Sequence, residues 1–152
     1  MRLIFYTVVV FVLWSCNRNV VFKQFDASFE DNRWQRSDTR SYSFSLDTAD
    51  HYDLFVDFSY VAEVQFAEIP IQITLTSPDG VSTPQPFVIR TKDANGKESG
   101  DCAGDYCDLR QVVFQNQSLS AGSYTVNLSN RFNHDYLPNV IGIGIRVTKS
   151  GD

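Results

Sequence analysis

SYSFSL, residues 41–46, sets Tyr42, Phe44 and Leu46 on one side of an extended chain and three serines on the other. A period of two is what a strand with one buried and one wet face requires. The device recurs. YDLFVDFSY (52–60) aligns Tyr52, Leu54, Val56 and Phe58, with Phe55 on the opposite face predicting further burial there. IPIQITLTS (69–77) aligns Ile69, Ile71, Ile73 and Leu75 and runs into the SPDG turn at 77–80. PFVIR (86–90), LRQVVFQ (109–115), SYTVNLS (123–129) and VIGIGIRV (140–147) bring the strands to seven. In the last, Ile141, Ile143, Ile145 and Val147 share one face, and Gly142 and Gly144 fall on the other, where a missing side chain lets a neighbouring chain or ring approach closely. No stretch carries a helical stripe or an internal repeat. The chain is therefore expected to be all-β, an antiparallel β-sandwich of about seven or eight strands, with the jelly roll as one form it could take.

Outward from these strands, the start of the chain reads differently. In MRLIFYTVVVFVLWSC (1–16), Arg2 is the only charge and residues 3–14 are apolar apart from Tyr6 and Thr7. A charge followed by an apolar run is the order of a secretory signal, and the run falls short of the ~20 residues that span a bilayer, so no transmembrane helix is expected. Leu13-Trp14-Ser15-Cys16 resembles the bacterial lipobox, a leucine three residues before an invariant cysteine, although Trp14 stands where a small residue is usual. The resemblance implies cleavage before Cys16 and lipidation of Cys16 by a diacylglyceryl group. Each buried methylene of an acyl chain such as palmitate contributes ~0.8 kcal/mol, so two or more chains hold a protein stably on a membrane. The expected organisation is a signal peptide at 1–15, a lipidated N-terminus and tether at 16–33, and a sandwich domain at 34–149 whose first core residue is Trp34.

The 152 residues suffice for one domain, and 18 carboxylates against 13 basic side chains give a formal charge of −5, more negative still once Arg2 leaves with the leader. No basic cluster offsets it, which argues against nucleic acid as a partner. His51 and His134 stand apart from other ligand types and read as turn or surface residues. There is no nucleophile elbow, zinc-protease helix or phosphate loop, and nothing places two carboxylates across a sugar, so no catalytic residues are assigned and the chain reads as a non-enzyme.

The richest stretch is KDANGKESGDCAGDYCD (92–108), with Asp93, Asp101, Asp105 and Asp108 among glycines. Hard oxygen donors in a glycine-permitted loop suit calcium, but the spacing is not that of an EF-hand, and solvated turns are the plainer alternative. Gly100 and Gly104 fit tight connections that need positive φ. No other cofactor is suggested. Cys102 and Cys107 lack the second ligand pair that a metal would need. With Cys16 taken by lipid, an even pair remains, which in an exported protein favours a disulfide closing a very small loop.

Taken in order, FEDNRW (29–34), the run holding Gly96, Gly100, Asp101, Gly104 and Asp105, AGSYTVNL (121–128) and NRFNHDYLPNVIGIGIRV (130–147) resemble the GldH family of gliding-motility lipoproteins. The cysteines inside the glycine and aspartate run depart from that pattern. The resemblance implies a β-sandwich lipoprotein of the cell envelope, in gliding bacteria and their relatives, acting with other envelope lipoproteins and the machinery linked to type IX secretion, with no established catalysis. NRNVV after Cys16 lacks the acidic cluster of surface-exported lipoproteins, which favours the outer membrane with the domain facing the periplasm. Asp47-Thr48-Ala49 resembles a short O-glycosylation motif, making Thr48 a candidate. A weaker resemblance of YSFSLDTADHYDLFV, LTSPDG and AGSYTVNL to accessory β-sandwich domains of secreted enzymes carries a second expectation, a module binding carbohydrate or calcium.

Overall fold

The computed structural model describes residues 19–151, so the leader and Cys16 lie outside the described residues. The strands are β1 (Val20–Asp26), β2 (Trp34–Gln35), β3 (Thr39–Leu46), β4 (Asp50–Val61), β5 (Glu68–Thr76), β6 (Ser82–Arg90), β7 (Asp101–Ala103), β8 (Tyr106–Leu119), β9 (Gly122–Asn130), β10 (Tyr136–Leu137) and β11 (Val140–Lys149). β3, β4, β5, β6, β8, β9 and β11 are the seven that alternation predicts. One sheet runs β1-β11-β4-β8-β7, the other β3-β9-β5-β6, and β2 pairs with β10 apart from both. Every pairing is antiparallel. Taking the eight long strands alone, the first lies beside the last, third and sixth, and the second beside the seventh, fourth and fifth, the order of a jelly roll.

The inward faces are those the period of two selects. Tyr42, Tyr52, Leu54, Val56, Phe58, Tyr60, Ile69, Ile71, Ile73, Ile143, Ile145 and Val147 are all buried. Tyr42 also donates its hydroxyl to the carbonyl of Ile143 across the sandwich at 2.9 Å, so its one polar atom is satisfied. Burial and then the nearby Asp26 carboxylate raise its pKa above the usual phenol range. In β11 the inward residue at the strand's start is Val140 rather than Ile141, because the pairing with β4 shifts between Val140 and Gly142. A bulge of this kind inserts one residue and flips the side chain beside it.

β1 corrects the reading of 16–33 as tether. Residues 20–26 pair with β11 along their length, from Val20 opposite Thr148 to Asp26 opposite Ile143. Phe22 stacks on Phe44 with ring centroids 5.4 Å apart and Phe29 is buried, so the core begins well before Trp34. The sequence hid this strand because VVFKQFD carries apolar residues on both faces and its register shifts between Val20 and Phe22.

The two ends of the sandwich differ. At one end the connections 47–49, 77–81 and 120–121 are short turns. At the other lie 27–38, 62–67, 91–105 and 131–139, among them β2, β10 and β7. β1 begins at the short-turn end, where the Lys149 amide donates to the Asn19 carbonyl at 2.7 Å. The long connections are pinned individually. Arg40 stacks over the Phe29 ring at 4.2 Å while pairing with Asp38 at 2.6 Å. Asn130, buried, donates to the Trp34 carbonyl and accepts from the Phe132 amide, both at 2.8 Å.

Gly142 and Gly144 face outward beneath β1. A Cβ on Gly142 would meet the Phe25 ring at 2.3 Å, and one on Gly144 would meet the Gln24 carbonyl oxygen at 2.2 Å and the Phe25 Cα at 2.7 Å. The Gly144 neighbour is backbone and cannot rotate away. Gly144→Val should therefore part β1 from β11 and destabilise the domain by ~2–3 kcal/mol, with amide exchange accelerating in residues 20–26 but not in β9. Unchanged protection of β1 would refute the close-approach role.

Candidate functional site

The outer face of the five-stranded sheet carries a groove of about 380 Å³ lined by Lys23 and Phe25 of β1, Asp57 and Ser59 of β4, Asp101 of β7, and Asp108 and Arg110 of β8. Pleating places these side chains away from the core, and the register sets them side by side. Asp57 lies opposite Gly144 on one flank and Arg110 on the other, and Ser59 lies opposite Asp108. The glycines of β11 leave the middle of the face low, and the Phe25 ring fills part of that space, lying against Gly142 and remaining 38% exposed.

Asp57 is the electrostatic centre. It is only 13% exposed and takes the Arg110 Nε–H on Oδ1 at 2.6 Å, while Arg146 Nε lies 3.5 Å from Oδ2. Arg146 is equally buried, and its Nε is within ion-pairing distance of Asp57 without completing a hydrogen bond to any described group. Beside this triad the Ser59 hydroxyl donates to Asp108. The groove thus offers cations and anions in near balance around one half-exposed aromatic ring.

The four aspartates singled out in 92–108 are not gathered. Asp101 and Asp108 face each other across the β7–β8 pair and share the groove. Asp93 accepts the amides of Asn95 and Lys97 at 2.8 and 3.0 Å and so shapes its own turn. Asp105 occupies the hairpin tip, where its carbonyl takes the Ala62 amide at 2.8 Å. Among the described residues no group of three or more His, Cys, Asp or Glu side chains is placed to hold a metal ion. Cys102 and Cys107 form a disulfide across directly paired positions of β7 and β8, with Cα atoms 4.0 Å apart. Gly104 has a φ of +64°, as a tight tip requires, whereas Gly100 is needed for space: a Cβ there would lie 2.9 Å from the Asp108 carbonyl and 3.2 Å from the Tyr60 hydroxyl. That hydroxyl donates to Glu98 at 2.8 Å and is held above the usual phenol range by burial and then by Glu98.

The histidines fall at opposite ends. His51 is exposed at the short-turn end beside Asp50, whose carboxyl is held below its usual range by the His51 amide and then by Lys149. His134 flanks a second cleft of about 310 Å³ at the long-loop end, with Phe66, Phe132 and Tyr136. Thr48 is exposed in the β3–β4 turn, its hydroxyl 3.3 Å from both Tyr52 Oη and Lys149 Nζ. Lys23 and Phe25 escaped the sequence reading because β1 did. The Gly-x-Gly of β11 was the available signal, since it called for a ring without saying which. Among the described residues no helix is long and apolar enough to cross a membrane.

The family described as GldH lipoprotein matches residues 20–147. Among solved structures the chain is similar to a carbohydrate-binding module specific for non-crystalline cellulose, at 10% identity and a TM-score of 0.44, over 78% of this chain and 73% of that one. It is also similar to the VP2 subviral particle of infectious bursal disease virus, at 13% identity and a TM-score of 0.38, over 86% of this chain and 33% of that one. No curated protein matches the chain.

Removing Asp57 would leave Arg146 buried without its counter-charge. Asp57→Ala should cost about 3 kcal/mol in urea unfolding, and adding Arg146→Met should restore most of it, because an orphaned buried charge costs more than the loss of the pair. A double variant no more stable than the single one would refute the account of Arg146.

Proposed function

The chain belongs to the GldH lipoprotein family, and from that premise we propose that it is a non-catalytic lipoprotein that supports gliding motility and the associated secretion machinery through protein contacts. The observation that carries the reading is the family match across the whole sandwich, from Val20 to Val147, directly behind the lipobox-like Leu13-Trp14-Ser15-Cys16. Cys16 is the lipid-bearing residue in this reading. The absence of acidic residues in NRNVV supports a place on the outer membrane with the domain facing the periplasm. The anchor fixes the domain where envelope partners are concentrated, so modest protein contacts suffice.

Deleting the gene should abolish surface gliding or reduce secretion through the linked machinery. Cys16→Ala should reproduce the defect while the domain still folds. Normal gliding together with normal secretion in the deletion strain would refute the proposal.

A second reading is favoured by one observation, the Phe25 ring lying against Gly142 with its outer side half-open beside Lys23, Asp57, Arg110 and Asp108. A flat ring next to mixed donors and acceptors suits a neutral saccharide. Calorimetry with soluble glycans should then give a heat that Phe25→Ala abolishes, and no heat from any glycan would dismiss it. Of the four aspartates only Asp101 and Asp108 share this groove, so this second reading names a saccharide as the ligand.

A further inference from the structure

β1 starts at Val20, four residues after Cys16, and it starts at the short-turn end of the sandwich. Four Cα steps reach at most ~14 Å when fully extended. The twelve residues of β4 run the length of the sandwich, about 40 Å at ~3.3 Å per residue. The connection is therefore much shorter than the domain it would hold.

We infer that the lipidated protein stands upright on its membrane, with the turns 47–49, 77–81 and 120–121 against the headgroups and the long loops presented about 40 Å above them. The inference rests on the proposed lipid at Cys16 and adds to it an orientation. A tether reaching to residue 33 would have left the domain free to tumble, whereas pairing of residues 20–26 with β11 leaves four Cα steps and keeps the short-turn end within ~14 Å of the lipid. The outward surface then comprises the disulfide-bridged β7–β8 hairpin, the 91–100 loop and the Phe66, Phe132 and His134 cleft. Any protein partner reached from across the periplasmic space meets these elements first. The membrane-facing turns carry Asp47, Asp50 and Asp79 against Lys149, and Arg18 is the single charge between Cys16 and Val20, so the turns themselves are not drawn onto anionic lipid and the anchored segment holds them there.

The test uses full-length protein, matured and lipidated in its host, in vesicles containing a bilayer-confined quencher. A fluorophore is attached at Ala121→Cys, in an exposed short turn, or at Ala94→Cys, in an exposed long loop. The Ala121 site should lose most of its emission and the Ala94 site none. Equal quenching at the two sites, or stronger quenching at Ala94, would overturn the orientation while leaving the anchor standing. Inserting a long Gly/Ser segment after Asn19 should erase the difference, and a difference that survives would show that the short connection does not set it. Intact-mass measurement of the same preparation separates the premise: Cys16 found without acyl chains would overturn the orientation together with the lipoprotein reading.

Discussion

The fold closes where its first strand meets its last. β11 can accept β1 on one side and β4 on the other because Gly142 and Gly144 carry nothing that would hold β1 off. A single methyl at Gly144 would press on the Gln24 carbonyl and the Phe25 backbone, which have no freedom to yield. Once β1 is in place, Phe22 reaches the core against Phe44, and Phe25 covers the low floor that the glycines leave. The place of β1 in the jelly-roll order, its side of the groove and the position of the chain's entry into the domain all follow from this one close approach.

The outer face of the same sheet shows how a strand can bury both sides without becoming wholly apolar. Asp57 and Arg146 are each only 13% exposed, so neither is a surface charge in the usual sense, and Arg146 depends on Asp57 for its counter-charge. Arg110 supplies the stronger hydrogen bond to Asp57, leaving Arg146 held by proximity. Such an arrangement contributes little net stability against an apolar replacement, and it fixes a mixed-charge surface around a half-exposed ring.

Alternation made most of the sandwich legible. Strands with one clean buried face, such as SYSFSL and IPIQITLTS, fold as their period demands. β1 was illegible because an edge strand with a bulge and apolar residues on both faces has no period to read. β2, β7 and β10, at two or three residues, are too short to show one. The groove was legible only in fragments. Asp101 and Asp108 stood out as chemistry-bearing residues, and the glycines of β11 as a place of close approach, but their partners Lys23, Phe25, Asp57 and Arg110 come from three strands distant in sequence. Gly100 illustrates a subtler limit, because a glycine demanded by space and one demanded by positive φ look alike in sequence.

The antiparallel register of β1 against β11 also decides how the domain bears tension. A pull on the long-loop end, resisted at the point where the chain enters at Val20, runs along the strand axes. The ladder of backbone bonds between the first and last strands is then loaded in shear, all rungs together, instead of being unzipped one rung at a time. A protein threaded in this sense can transmit a mechanical load across its length before its weakest seam opens.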